Sequence, residues 1–149
     1  MSGVLISLNP LALLAKPKPE DAMPAITDLQ QLLSTMEPVL HPTPYGYAVT
    51  KTPVPGTFAT VAEDEGPTVI APHAALQAAG VDPGAEWARI SLTVHSDLAA
   101  VGLTAAFARA LADHGISANV VAGFHHDHIF VPWPRRHDAL TALQELTHV

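Results

Sequence analysis

The densest group of reactive side chains is His125-His126-Asp127-His128. Imidazoles beside a carboxylate are the donor types of a zinc or nickel ion. The spacing works against that use. In an extended hairpin arm successive side chains point to opposite faces, so at most two of the four converge, and a closed zinc site takes about four ligands. Only a donor from elsewhere, His95 or His114, would complete the set, so no metal is expected and the group reads as a polar hairpin tip or a ligand wall. His95-Ser96-Asp97 contains the residue types of a catalytic triad. Three adjacent residues cannot adopt the relay geometry, which folds assemble from separated segments, so no enzyme is expected. Glu63-Asp64-Glu65 lacks the spaced oxygen ligands of a calcium loop and reads as a solvated turn. The chain has no cysteine, which removes thiolate metal sites, cysteine nucleophiles and disulfides.

Recognition chemistry remains. A free amino acid presents a carboxylate, an ammonium group and a side chain, and the loop leading into the helix after residue 100 offers a partner for each. Helix-start amides attract a carboxylate, Gly102 permits close backbone approach, and Asp97 or Asp127 can accept from a cation. The same residues also suit plainer roles, with Ser96 or Asp97 as a helix cap and Gly102 as a packing residue. Asp and Glu outnumber Lys and Arg by 14 to 7, and apart from Arg135 and Arg136 the basic residues are scattered, so no phosphate-tracking stripe exists and nucleic acid is not an expected partner.

The positioning elements follow from periodicity and breakers. A chain of 149 residues that is 48% hydrophobic can bury one substantial core or two small ones. The apolar residues 4–15 are interrupted by Asn9 and Pro10 and are too short to span a bilayer, so no membrane anchor is expected; residues 1–22 read as a flexible extension. Thr27 and Gln30 form a capping box ahead of Leu29, Leu32, Leu33 and Met36, which predicts a short amphipathic helix. Strands are predicted at 45–50, 57–63 and 68–71, with a helix at 74–79 stopped by Gly80. Twelve of the 14 prolines precede Gly84, so the second half is the regular half. Residues 87–94 alternate with Ile90, Leu92 and Val94 on one face and Arg89, Ser91 and Thr93 on the other, a half-buried strand. Leu103, Phe107, Ala110 and Leu111 mark a helix ending at Gly115, residues 117–124 and 128–133 form a hairpin, and Pro134 opens a last helix with Ala139, Leu140, Leu143 and Leu146 inward. The second half, β-α-β-β-α, is a ferredoxin-like unit short of its last strand. The first half, α-β-β-β-α, reads as one short of its first. Placed side by side, the two would complete each other in an α+β fold.

Within residues 87–143, Ser-Leu-Thr-Val-His-Ser, Ala-Val-Gly-Leu-Thr-Ala-Ala-Phe, His-Gly-Ile-Ser-Ala-Asn-Val-Val-Ala-Gly and Asp-His-Ile-Phe-Val-Pro resemble the ACT domain of small bacterial ACT proteins. They are similar also to the ACT domains of the arginine-sensing CASTOR proteins. The Asp-Glu-Gly turn before Pro67 resembles the preceding, degenerate ACT unit of the same proteins. The resemblance implies two βαββαβ units, a degenerate one over 23–84 and an ACT domain over 85–149. It also implies a regulatory or sensing module that binds an amino acid or similar metabolite; no cofactor and a cytoplasmic location are expected, and the unpaired edges left by the truncated strand order predict a homodimer. By the family's pattern the loop positions Ser96, Asp97, Leu98, Val101, Gly102 and Leu103 would hold ligand backbone groups. Phe124, Asp127 and His128 match an aromatic, an aspartate and a histidine on the facing hairpin. The chain departs from the sensors in having at most two units rather than four, and in carrying Gly123 where they have a hydroxyl residue. The rival expectation is an adaptor whose ACT surfaces serve only self-association or partner docking. Because ordinary imidazoles titrate there, ligand binding is expected to be sensitive to pH between about 5.5 and 7.5.

Overall fold

A computed structural model describes residues 28–94 and 98–148. Helix α1 (Leu29–Thr35) leads into a long strand β1 (Pro38–Val49), then the hairpin β2 (Ala59–Glu63) and β3 (Gly66–Pro72), a short helix α2 (His73–Ala78) and strand β4 (Trp87–Leu92). Helix α3 (Leu103–Asp113), strands β5 (Asn119–Ala122) and β6 (Asp127–Pro132), a single 3-10 turn at Trp133–Arg135 and helix α4 (Arg136–Leu146) complete it. The six strands form one antiparallel sheet in the order β2-β3-β1-β4-β6-β5.

That order shows how the two units are completed. β4-α3-β5-β6-α4 takes β1 as its fourth strand, while β1-β2-β3-α2 takes β4 as its fourth, so each central strand serves both units. The expected missing first strand of the first half is therefore a misreading: β1 is that strand. The element absent from its usual place is the helix between β1 and β2, where residues 50–58 form a loop; α1 lies before β1 and joins the core of the second unit through Leu32 and Met36.

β1 starts well before the expected residue 45 although Pro38, Pro42 and Pro44 lie within it. Proline cannot donate to a ladder, and the pairing accommodates this. Residues before Tyr45 pair only with β4, β3 engages only from Tyr45 to Val49, and the register shifts between Leu40 and Pro44. The prolines sit where the ladder is one-sided or interrupted. The cap of α1 is Asp28, whose carboxylate accepts from the Gln31 amide at 2.9 Å. The expected cap, Thr27, lies outside the described residues. At the far end of α3 the Gly115 and Ile116 amides close back on the carbonyls of Ala112 and Leu111.

Period-two alternation divides the sheet into two faces. On one, Ala88, Ile90 and Leu92 of β4 and Ile129 and Val131 of β6 pack under Leu103, Phe107 and Leu111 of α3 and Ala139, Ala142 and Leu143 of α4. Leu146 packs on this core from its margin, while Leu140 is only partly covered. A smaller cluster of Val54, Val69, Ala71 and Leu76 seats α2 on the same side. The other face gathers Tyr45, Ile70 and Phe130, with Tyr47, Phe58, Trp87 and Val121 against them. Phe58, at the entrance to the edge strand β2, lies 5.4 Å centroid to centroid from Phe130 and 4.9 Å from His128, both on β6. Three strands separate β2 from β6, so the rings meet only because the sheet curls, and this face is concave. Among the described residues no helix is long and apolar enough to cross a membrane.

Among the described glycines the tightest surroundings are those of Gly46 on β1, where an added Cβ would fall 2.5 Å from the Pro83 carbonyl oxygen and 2.9 Å from Leu76 Cδ1. The Gly46→Ala variant should therefore be destabilised by about 1–3 kcal/mol, the usual cost of overpacking. Urea unfolding at neutral pH measures it, and an unchanged midpoint would contradict the packing described.

Candidate functional site

The loop-and-hairpin region lies where β4 ends. Asp127, the first residue of β6, pairs with Leu92 and Ala122, and by alternation with Ile129 it shares the helix-bearing face. The hairpin is tied to the end of β4 by a 3.3 Å contact between His126 Nδ1 and the Val94 carbonyl. Asp127 is half-buried, and its side chain makes no hydrogen bond or ion pair among the described residues. Burial pushes its carboxyl above the ordinary value, with His126 pulling the other way. Leu98, Val101 and Phe124 are 68%, 84% and 75% exposed, an uncommon degree of exposure for large apolar side chains. Ser96 and Asp97 lie outside the described residues.

Gly102 is the N-cap of α3, at φ 100°, a backbone conformation that favours glycine, and it offers no side chain to cap the helix. Leu29 of α1 packs over Gly102, with Cδ2 3.0 Å from where a Cβ would stand. Leu103 points into the core. Bulk at residue 102 would thus strain the backbone and displace α1.

His128 departs from the expected grouping. One residue beyond Asp127, it projects to the concave face, and the structure does not bring the two together on one wall. There it belongs to a polar chain that crosses three strands. Arg89 Nη2 is 3.1 Å from His41 Nδ1, His41 Nε2 is 2.7 Å from Ser91 Oγ, and Ser91 Oγ is 2.8 Å from His128 Nδ1. A guanidinium only donates, which sets the direction at the head of the chain. His41 Nδ1 accepts from Arg89, so its proton is on Nε2 and is donated to Ser91. The buried Ser91 hydroxyl has no other acceptor among the described residues, so it donates to His128 Nδ1 and leaves the His128 proton on Nε2. Burial, reinforced by Arg89, holds His41 below its ordinary value. Burial first, then Arg89, His126 and His41, takes His128 down to about 4. Both rings are neutral at pH 7. Titration of His128 therefore lies below the expected window of about 5.5 to 7.5 for free imidazoles.

This arrangement is not that of an activated nucleophile. His41 presents a donor to Ser91, His128 is a weak base, and Ser91 is only 7% exposed. Alternation in residues 87–94 separated Arg89 and Ser91 from the apolar face, but it could not show that the sheet curls over them. His41 lies in the proline-rich part of β1 and carried no sequence signal. The paired arginines are accounted for locally: Arg135 bonds Asp138 at 3.0 Å, and the Arg136 guanidinium lies 4.1 Å from the Trp133 ring centroid. Among the described residues no group of three or more His, Asp or Glu is arranged to hold a metal ion.

Depression of the His128 value has a definite sign. Between about 4 and 6.5 the unfolded chain takes up a proton that the folded chain refuses, so stability is complete above 6.5 and is lost as the pH falls toward 4. Urea midpoints should drop across that window, and His128→Asn, which keeps an acceptor for Ser91, should flatten the drop. Ser91→Ala strands two imidazole nitrogens and should cost about 1–3 kcal/mol at pH 7.

Comparison with known proteins supplies the family. Two ACT domain models match, one over residues 24–88 and the other over residues 85–145. The crystal structure of a Vibrio cholerae protein of unknown function, described as a possible transport protein, is similar at 43% identity with TM-score 0.72, over 80% of this chain and 95% of that one. An Agrobacterium tumefaciens protein is similar at 20% identity with TM-score 0.61, over 75% and 89%. The ligand-free regulatory subunit of aspartate kinase from Thermus thermophilus shares the fold at 11% identity with TM-score 0.58, over 76% and 97%. No curated protein matches the chain. Two consecutive domain matches that meet at β4, on a sheet whose units share their central strands, place this chain in the ACT domain family.

Proposed function

We propose that the protein is a regulatory ACT module of the cytoplasm that binds an amino acid or similar small metabolite between the loop before α3 and the β5–β6 hairpin. Asp127 carries the reading. Its half-buried carboxylate accepts no hydrogen bond from a described residue and is drawn on electrostatically by His126 alone, which leaves room for a cation, and an ammonium or guanidinium group is the natural complement. The start of α3, whose N-cap is a glycine, has amide donors for a carboxylate, although Leu29 narrows the approach at Gly102. Phe124 on the hairpin and Leu98 and Val101 on the loop supply apolar surface for the aliphatic part of a ligand. Ser96 and Asp97 complete the proposed loop, and His128 acts from the opposite face by bracing the hairpin strand rather than by touching the ligand.

A second reading rests on the same exposed Leu98, Val101 and Phe124: they form a docking surface for a second copy or for a regulated partner. The two readings combine if the ligand sits between copies in a homodimer.

Thermal-shift measurements against the twenty amino acids form the first test, since a ligand at 100 times its dissociation constant stabilises the native state by about 2.7 kcal/mol. For a cationic ligand found this way, Asp127→Asn should lose about 1.5–3 kcal/mol of binding, roughly tenfold to 150-fold in Kd, with unchanged melting temperature in its absence. Phe124→Ala, at an exposed position, should weaken binding without unfolding the protein. No response to any amino acid, together with light scattering that shows a dimer dispersed by Phe124→Ala, would replace the binding reading with the docking one.

A further inference from the structure

The concave face holds a charge without a counterion. Arg89 is partly buried there, and its guanidinium carbon lies 4.6 Å from the Phe58 ring centroid and 5.2 Å from that of Tyr45. Among the described residues no carboxylate comes within ion-pair distance of it; the ion pairs there are Arg109 with Asp113 and Arg135 with Asp138. Aromatic faces engage the flat surface of a guanidinium and leave its in-plane N–H bonds needing acceptors. One of those bonds goes to His41 Nδ1, while Nε–H is buried with no acceptor among the described residues. The neighbouring polar groups cannot supply one, since His41, Ser91 and His128 are committed to each other along their chain.

The same face holds a second orphan. Tyr47 Oη is buried without a partner, its ring 5.7 Å from that of Phe130, and Phe130 is the strand partner of Arg89. The two unsatisfied donors thus flank one residue on a face that no described helix covers. Buried donors are nearly always satisfied in folded proteins, by protein, water or ligand, and here the requirement is for an acceptor that also balances a permanent positive charge. The in-plane edge of a guanidinium matches two oxygens of a carboxylate or a phosphate group.

We infer that the concave face of the sheet is a binding site for a small oxyanion, a carboxylate or phosphate group, held by Arg89 with Tyr47 as a supporting donor. The site lies on the opposite face of the sheet from Asp127 and stands independently of the loop-and-hairpin reading.

Trp87 provides a local reporter, because its ring lies 5.8 Å from that of Tyr47. In the full chain carrying Trp133→Phe, which leaves Trp87 as the remaining tryptophan, sodium acetate and inorganic phosphate are titrated at pH 7.5 against sodium chloride at matched ionic strength. A saturable change in Trp87 fluorescence with acetate or phosphate but not chloride is expected, and whichever probe acts identifies the anion class. Loss of one charge-assisted bond weakens binding by roughly tenfold or more, so Arg89→Gln should lower the affinity by at least about that factor. Tyr47→Phe should weaken it by a smaller factor while leaving the fold intact. If circular dichroism shows Arg89→Gln unfolded, Arg89→Lys and Tyr47→Phe decide, since Lys keeps the charge but loses the planar fork and must still bind more weakly. No response to either oxyanion, or a response equal in parent and folded variants, would overturn the site and assign the orphaned donors to water alone.

Discussion

Everything in this molecule depends on the antiparallel pairing of β1 with β4. The pair is the meeting line of two units, and neither unit has a full sheet without the other's central strand. Ile90 and Leu92, which anchor the helix-bearing core, and Arg89 and Ser91, which organise the concave face, are successive residues on one of these two strands. A one-residue slip of β4 would exchange the two sets and expose both. The register shift between Leu40 and Pro44 is part of the same device: it lets a proline-rich segment serve as a central strand and still deliver His41 to the concave side.

Much of the second unit was legible because its signals are local. The alternation in residues 87–94 separates two faces, the Leu103, Phe107 and Leu111 spacing marks a buried helical stripe, and Gly115 stops that helix where the backbone turns. The first unit was read less well for an identifiable reason. Pro38, Pro42 and Pro44 depress any strand assignment for the residues between them, yet they are tolerated because β3 does not reach that part of β1. Losing that stretch hid the sharing of strands and turned a missing helix into a missing strand.

The site shows the same division between local and long-range information. Exposure of Phe124 and placement of Asp127 at the hairpin follow from short-range pattern and from family resemblance. The distinction between Asp127 and His128 also follows from period two, once the strand is known to start at residue 127. The polar chain from Arg89 to His128 is different in kind. It joins residues 48, 50 and 37 positions apart, and nothing in their immediate neighbours signals that a curled sheet would close over them. Polar residues alternating with apolar ones ordinarily face water. Here they face aromatic rings, because the Phe58 end of the sheet bends back across the three intervening strands toward β6.

The direction of that chain gives the interior an electrical sense. Arg89 can only donate, so the hydroxyl and both imidazoles line up head to tail and their dipoles add instead of cancelling. Its terminal group, the His128 Nε2–H, stands close enough to Gly123 that a Cβ there would lie 3.5 Å away. The positive charge on β4 is thereby expressed, as polarisation of an N–H bond, at the root of the hairpin on the far side of β6. A side chain able to accept as well as donate in place of Arg89 would no longer set that sense from β4.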